Sequence, residues 1–307
     1  MTDFLRVRDV SSDDFNLMID QAIAIKSNPD KWSDALKGKT LAMIFQKTST
    51  RTRFSFEAGM TELGGHAIFA QTQHTQMGIA DIADEGKVIS RYAALIMARM
   101  VYNRDLVALA DGSEVPVING CDDRYHPAQG LTDLMTVKER LGRTKDVKVV
   151  YMGVANNVSN SLSMATIYTG GRFTLCVPEF DPPAIDDEQL AELRANPMYE
   201  ETADPAVAMK DADVVYTDTW INMEHFNNPE YAGEKDRRVT TFQPYQVNES
   251  LLKLSGKETL VMHCLPAHKG YEVNDTVLYT PNSVIFDQAE NRLHTQKALM
   301  LYLLGKL

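Results

Sequence analysis

The sequence predicts an α/β protein of two doubly wound parallel-sheet domains joined by helices. Three observations carry this. Short, continuous apolar runs recur along the chain, longer stretches of helical periodicity separate them, and 307 residues suit two domains of ordinary size. A continuous apolar run marks a strand covered on both faces, and the intervening helices supply the cover.

Taken in order, the runs at 41–45, 95–99 and 115–119 read as strands of a first domain, residues 1–130. Those at 147–152, 173–177, 213–217 and 259–263 read as strands of a second, residues 131–290. The stretch 131–141 has apolar residues near helical spacing and ends at Gly142, a C-cap residue, so it joins the two domains. The tail from Asn291 is amphipathic, and residues 291–307 are expected to close the first domain as a helix. No repeat or low-complexity tract interrupts the pattern.

Composition narrows the function. The formal net charge of −11 argues against nucleic acid, whose phosphates need a basic face. No apolar run reaches the ~18 residues of a membrane span. The first residues lack the charged-then-apolar pattern of a secretion signal, so the cytoplasm is the expected compartment. Cys121, Cys176 and Cys264 form neither a disulfide framework nor a zinc spacing, and no metal is expected. In so acidic a chain, any cluster of arginines is informative.

One such cluster is Ser49-Thr50-Arg51-Thr52-Arg53, between the strand 41–45 and a helical pattern at 54–60. A helix N-terminus offers unpaired N–H groups and partial positive charge, where anions sit readily. Hydroxyls add short-range donors, and an arginine grips phosphate with two bonds. A Ser-Thr pair alone would be a helix cap; three hydroxyls interleaved with two arginines point to phosphate. The loop is not of the Walker type, since no G-x-x-x-x-G-K-[ST] occurs, and nucleotide hydrolysis is disfavoured. The turn after 147–152 lacks G-x-G-x-x-G, which disfavours NAD.

These residues carry a family likeness. Ser49–Arg53 resembles the carbamoyl-phosphate loop of the aspartate and ornithine carbamoyltransferases. His126-Pro127-Ala128-Gln129 is similar to that family's His-Pro-x-Gln segment. His263-Cys264-Leu265-Pro266, Asp218-Thr219-Trp220-Ile221-Asn222-Met223 and Glu290-Asn291-Arg292 resemble motifs of its ornithine branch. The matches occur in order and span nearly the whole chain.

The resemblance implies carbamoyl transfer from carbamoyl phosphate to an amine, without cofactor or metal, by a homotrimer or an assembly of trimers. It implies that Ser49, Thr50, Arg51, Thr52, Arg99, His126, Gln129 and Arg292 hold carbamoyl phosphate. His126, Thr52 and Arg99 would share the carbonyl oxygen, and Gln129 and the Leu265 carbonyl would recognise the carbamoyl nitrogen. Gln76 would reach the phosphate of a neighbouring subunit. Cys264 would lie against the amine beside Asp218. Asn157, Asp218, Asn222 and Met223 would bind the amino acid. Catalysis would rest on Arg99, His126, Asp218, Cys264 and Arg292.

Two acceptors stay open. L-Ornithine, giving L-citrulline, is the first reading. Where the ornithine branch has Ser-Met-Gly, this chain has Asn222-Met223-Glu224. An inward Glu224 would disfavour an α-carboxylate and favour a diamine such as putrescine, and residues 43–49, 63–67 and 244–248 also resemble putrescine carbamoyltransferases. Against this, Asn156-Asn157 and Trp220-x-x-Met223 are ornithine-like, and the chain stops at Leu307 without the extra helix expected of the putrescine enzymes. A non-catalytic binding protein of the same fold would show damage to the phosphate loop or His126, and none is visible.

Overall fold

Each apolar run forms a strand in the computed structural model, which describes residues 2–222 and 225–307. Helix α1 (Ser12–Ser27) precedes the first sheet. Then come β1 (Thr40–Phe45), α2 (Thr50–Glu62), β2 (His66–Gln71), α3 (Ile82–Ile89), β3 (Leu95–Arg99), α4 (Asn103–Gly112) and β4 (Val117–Cys121). Helix α5 (Pro127–Leu141) leads into β5 (Lys148–Ala155), α6 (Asn157–Tyr168), β6 (Arg172–Phe180), α7 (Asp187–Arg194), β7 (Tyr199–Thr202), α8 (Pro205–Met209) and β8 (Val214–Thr217). Helices α9 (Ala232–Phe242) and α10 (Glu249–Lys253), strand β9 (Leu260–Met262), α11 (Asp275–Leu278) and α12 (Ile285–Leu303) complete the chain.

Both sheets are parallel, in the orders β2-β1-β3-β4 and β7-β6-β5-β8-β9. In each, the chain leaves a central strand toward one edge and later returns to that strand's other side. The return creates a switch point, β1 beside β3 and β5 beside β8, where ligands of such sheets bind beyond the carboxyl ends. Phe45 pairs with Arg99 at the first, and Met152 with Thr217 at the second. Two strands were not legible in the sequence. Both β2 and β7 are edges, half-covered rather than buried on both faces, so neither has a continuous apolar run. Strand β4 starts at Val117, two residues later than expected, just after Pro116, which has no N–H for the ladder.

Helices α5 and α12 bind the two sheets into one core. Residues 127–137 of α5 are all buried, and its C-cap Gly142 takes φ 72° while donating its N–H to the Lys138 carbonyl at 2.8 Å. The division expected at residue 130 falls within α5. Helix α12 starts at Ile285, six residues before the expected Asn291, and lies against α1, α2 and α5. Polar groups on these buried faces pair with each other: Thr132 with Thr295 at 2.7 Å, and Asn291 Nδ2 with Thr136 Oγ1 at 3.0 Å. Among the described residues, no helix is long and apolar enough to cross a membrane.

Candidate active site

The phosphate motif is the first turn of α2 rather than a loop before it. Ser49 is the N-cap, in extended backbone, and its hydroxyl accepts the Thr52 N–H at 3.4 Å. The helix therefore begins at Thr50, four residues earlier than the pattern at 54 suggests. Helical spacing then separates the two arginines. Arg53 turns outward, bonded to Glu57 at 3.0 Å and stacked 3.7 Å over the Phe69 ring. Arg51 turns inward, where its titratable neighbours are Cys264, Arg99 and Asp218, and burial lowers its pKa. Thr52 is buried and Thr50 exposed.

Three more elements converge on this turn. Arg99 ends β3 and donates to the Gly120 carbonyl at 3.3 Å. His126 caps α5, its N–H donating to Ser161 Oγ at 2.8 Å and its ring buried. Arg292 enters from α12 and donates to Thr52 Oγ1 at 2.8 Å and to Gln129 Oε1. Arg99 Nε, Arg292 Nε and His126 Nδ1 are buried without a hydrogen-bond partner among the described residues. Such unsatisfied groups are costly unless a ligand meets them. An oxyanion with several acceptor oxygens is the ligand that fits two arginine donors in that state.

The electrostatics agree. Burial, then Arg99 and Arg51, bring the Arg292 pKa down to about 10. Burial, then Arg292, Arg99 and Arg51, hold the His126 pKa well below the usual histidine range. His126 is therefore neutral at pH 7 and can donate one ring N–H to a carbonyl oxygen without adding charge.

The second sheet supplies the facing wall. Asn156 caps α6, and its side-chain amide donates to Asp218 Oδ2 at 2.8 Å. Asp218, just past β8, also accepts the Thr219 N–H at 2.8 Å and the Cys264 thiol at 3.1 Å. Burial and Asp218 push the Cys264 pKa well above the ordinary value, so it stays a thiol and is a poor nucleophile.

Adjacent His263 does not serve Cys264 as a base. The sequence, read with the strand continuing, sets the two side chains on opposite faces. In fact β9 stops at Met262, and the ligand atoms of Asp218, His263 and Cys264 lie within 4.8 Å of one another. Both imidazole nitrogens are nevertheless committed: Nδ1 accepts the Leu265 N–H at 2.8 Å, and Nε2 meets Glu272 Oε1 at 3.1 Å. The trio thus has metal-ligand types but no free imidazole lone pair. Its anchoring bond holds Leu265 at φ 59°, turning the chain sharply after Cys264.

The remaining expected residues make other contacts. Asn157 donates to the Asp122 carbonyl at 2.6 Å and to Cys121 Sγ at 3.2 Å; the asparagine that touches Asp218 is its neighbour, Asn156. Asn222 is exposed, and its carbonyl accepts the His225 N–H at 2.8 Å. Met223 and Glu224 lie outside the described residues. Gln76 is exposed on the stretch between β2 and α3, with no side-chain hydrogen bond among the described residues. Sequence reasoning passed over Asp133 and Gln288, both buried and bonded to each other at 2.7 Å. The one available clue to Asp133 was its place four residues after Gln129 on a helix.

Burial raises the Asp133 pKa to about 7, against the lowering effect of hydrogen bonds from Gln129 and Gln288. An unfolded aspartate titrates near ~3.9. Between those values the folded chain keeps a proton that the unfolded chain has released, so this group's contribution to stability falls as pH rises and levels off above the folded pKa. Asp133→Asn removes the titration. In urea unfolding, the stability of the Asp133→Asn variant relative to the unsubstituted protein should improve from about pH 4 to about pH 7. A difference that does not change with pH would place the proton elsewhere.

Comparison with known proteins adds a family to this geometry. Residues 2–139 match the carbamoyl-P binding domain, and residues 145–303 the Asp/Orn binding domain, of aspartate/ornithine carbamoyltransferases. An ornithine carbamoyltransferase from Pyrococcus horikoshii is 47% identical over 88% of this chain and 84% of its own. Another from Archaeoglobus fulgidus is 42% identical over 100% of this chain and 98% of its own. The solved structure of ornithine carbamoyltransferase from Pyrococcus furiosus has a TM-score of 0.89 at 43% identity, covering 99% of this chain and 97% of that one. With both domain models matched in order along one chain, the protein belongs to the aspartate/ornithine carbamoyltransferase family.

Proposed function

We propose that this enzyme transfers the carbamoyl group of carbamoyl phosphate to the side-chain amine of L-ornithine, giving L-citrulline and phosphate. One observation carries the reading. Arg51, Arg99 and Arg292 meet a neutral His126 and a buried Gln129 at one switch point, and Arg51 also neighbours Asp218 and Cys264 of the other. A cluster of cationic donors and a carboxylate thus stand next to each other.

The chemistry follows from these groups. Phosphate sits at the α2 N-terminus, on Ser49, Thr50, Thr52 and Arg51. His126, Thr52 and Arg99 polarise the carbamoyl oxygen, and Arg292 adds positive charge. Gln129 Oε1 and the Leu265 carbonyl accept from the carbamoyl nitrogen. Asp218 pairs with the α-ammonium of ornithine, with Cys264 alongside, while Asn157, Asn222 and Met223 serve the rest of the amino acid. The neutral side-chain amine attacks the carbonyl carbon, the C–O bond to phosphate breaks, and the amine's proton ends on the departing phosphate, which leaves as the hydrogen phosphate dianion. Fixed donors that need not reorganise supply the acceleration, with the orientation of two substrates in one cleft.

Ornithine is the acceptor that the relatives' names support, at 42–47% identity. Putrescine is the weaker reading, since its main argument was Glu224. Assaying both amines with carbamoyl phosphate should give citrulline far faster than carbamoyl-putrescine; the reverse would overturn the acceptor assignment. Arg51→Ala removes the inward charge of the phosphate turn and should cost about 2–5 kcal/mol in kcat/KM, roughly 30- to 5,000-fold. Wild-type kinetics in that variant would refute the site.

We further place the enzyme in the cytoplasm as a homotrimer, or trimers assembled further, in which the exposed Gln76 serves a neighbouring copy's phosphate. Mixed and re-associated Gln76→Ala and Arg51→Ala chains should then recover activity that neither has alone. Absence of recovery would mean that each copy completes its own site.

A further inference from the structure

One group of buried polar side chains left unused by this reaction lies behind Gln129. Asp133 lies one turn further along α5 and is wholly buried; Gln288, on α12, is buried too. Gln129 Nε2 donates to Asp133 Oδ1 at 2.8 Å, and Gln288 Nε2 donates to the same oxygen at 2.7 Å. On its other side, Gln288 Oε1 accepts the His263 N–H at 3.0 Å. A continuous chain of bonds therefore runs Thr52–Arg292–Gln129–Asp133–Gln288–His263, from the phosphate turn to the segment carrying Cys264 and Leu265.

Donor and acceptor types decide what this chain does. An arginine only donates, so the Gln129 atom facing Arg292 must be oxygen. The atom facing an accepting carboxyl oxygen must be nitrogen. Without Asp133, Nε2 loses its partner and the amide can turn over. It would then point a donor at Arg292, or at a carbamoyl NH2, both of which are donors themselves. A buried carboxyl is also an expensive way to fill space, since an apolar side chain of similar volume often stabilises more. Asp133 Oδ2 has no hydrogen-bond partner among the described residues, which adds to that expense.

We propose that Asp133 is a positioning residue for carbamoyl transfer, locking the Gln129 amide with its oxygen toward Arg292 and the carbamoyl nitrogen. Asp133 itself touches no substrate. Gln288 fixes Asp133 from behind and ties the lock to the main chain at His263. The inference rests on the carbamoyl-transfer reading above.

The test is a double-mutant cycle on the full-length enzyme, with carbamoyl phosphate varied at saturating ornithine. Asp133→Ala should lower kcat/KM for carbamoyl phosphate by roughly tenfold to a hundredfold, the range for an unmade buried hydrogen bond. Asp133→Asn keeps an oxygen acceptor for both amides and should restore activity to within about threefold of wild type. In a Gln129→Ala background, Asp133→Ala should cost less than about threefold more, because the lock has nothing left to hold. Thermal melting and near-UV circular dichroism establish that each variant is folded. Asp133→Leu, which fills the space without an acceptor, replaces Asp133→Ala in the cycle if that variant does not fold. Equal losses with and without Gln129 would overturn the lock, and so would an Asp133→Asn variant as damaged as Asp133→Ala. A wild type that forms no citrulline would instead defeat the reading of the reaction.

Discussion

The guanidinium of Arg292 is buried between Thr52 and Gln129, and among the described residues no carboxylate forms an ion pair with it. Its charged neighbours include two further arginines, Arg99 and Arg51. Collecting cations in a desolvated place opposes folding unless something of opposite charge is expected there. The rest of the molecule is arranged around this tension. Helix α12 must pack between α1, α2 and α5 so that Arg292 reaches the phosphate turn. Helix α5 must present Gln129 one turn below His126. The carboxyl ends of β1 and β3 must lie side by side so that Arg99 joins the group.

The same burial sets the protonation states of the neighbours. It drives His126 to its neutral form and keeps Cys264 a thiol. It also lifts Asp133 toward neutrality. The arginines resist, because a guanidinium holds its proton even when its pKa is drawn down to about 10. The result is a fixed excess of positive charge in a chain whose formal net charge is −11. A dianionic acyl phosphate relieves that excess, whereas a neutral or cationic molecule does not. Affinity for phosphate and reluctance to ionise thus have one cause.

Central strands were legible in the sequence because each occupies a place that permits few residue types. Strands β1, β3 and β5 are covered on both faces and read as unbroken apolar runs. The edge strands β2 and β7 are half-exposed, and their mixed residues gave nothing to read. The motif at Ser49–Arg53 was legible, but not the side to which each arginine turns. That depends on where the helix begins, which the Ser49 cap decides. The Asn156-Asn157 pair shows a similar limit. Both residues were visible, but not that Asn156 caps α6 and meets Asp218, while Asn157 bonds at the end of β4.

Asp133 and Gln288 were missed on different grounds. A residue that binds substrate must match the substrate's chemistry, so its type and spacing carry information by themselves. A residue that holds another residue must match only that neighbour, which for Gln288 is a carboxyl on a helix 155 positions away in sequence. No local pattern can announce such a pairing. It becomes visible once α5 and α12 are laid together and each buried donor is matched to an acceptor. Counted in that way, the bonds run unbroken from the first turn of α2 at Thr52 to His263, the residue before Cys264. Sequence motifs locate the residues that converge at the switch points, and buried hydrogen-bond accounting locates those that hold them in place.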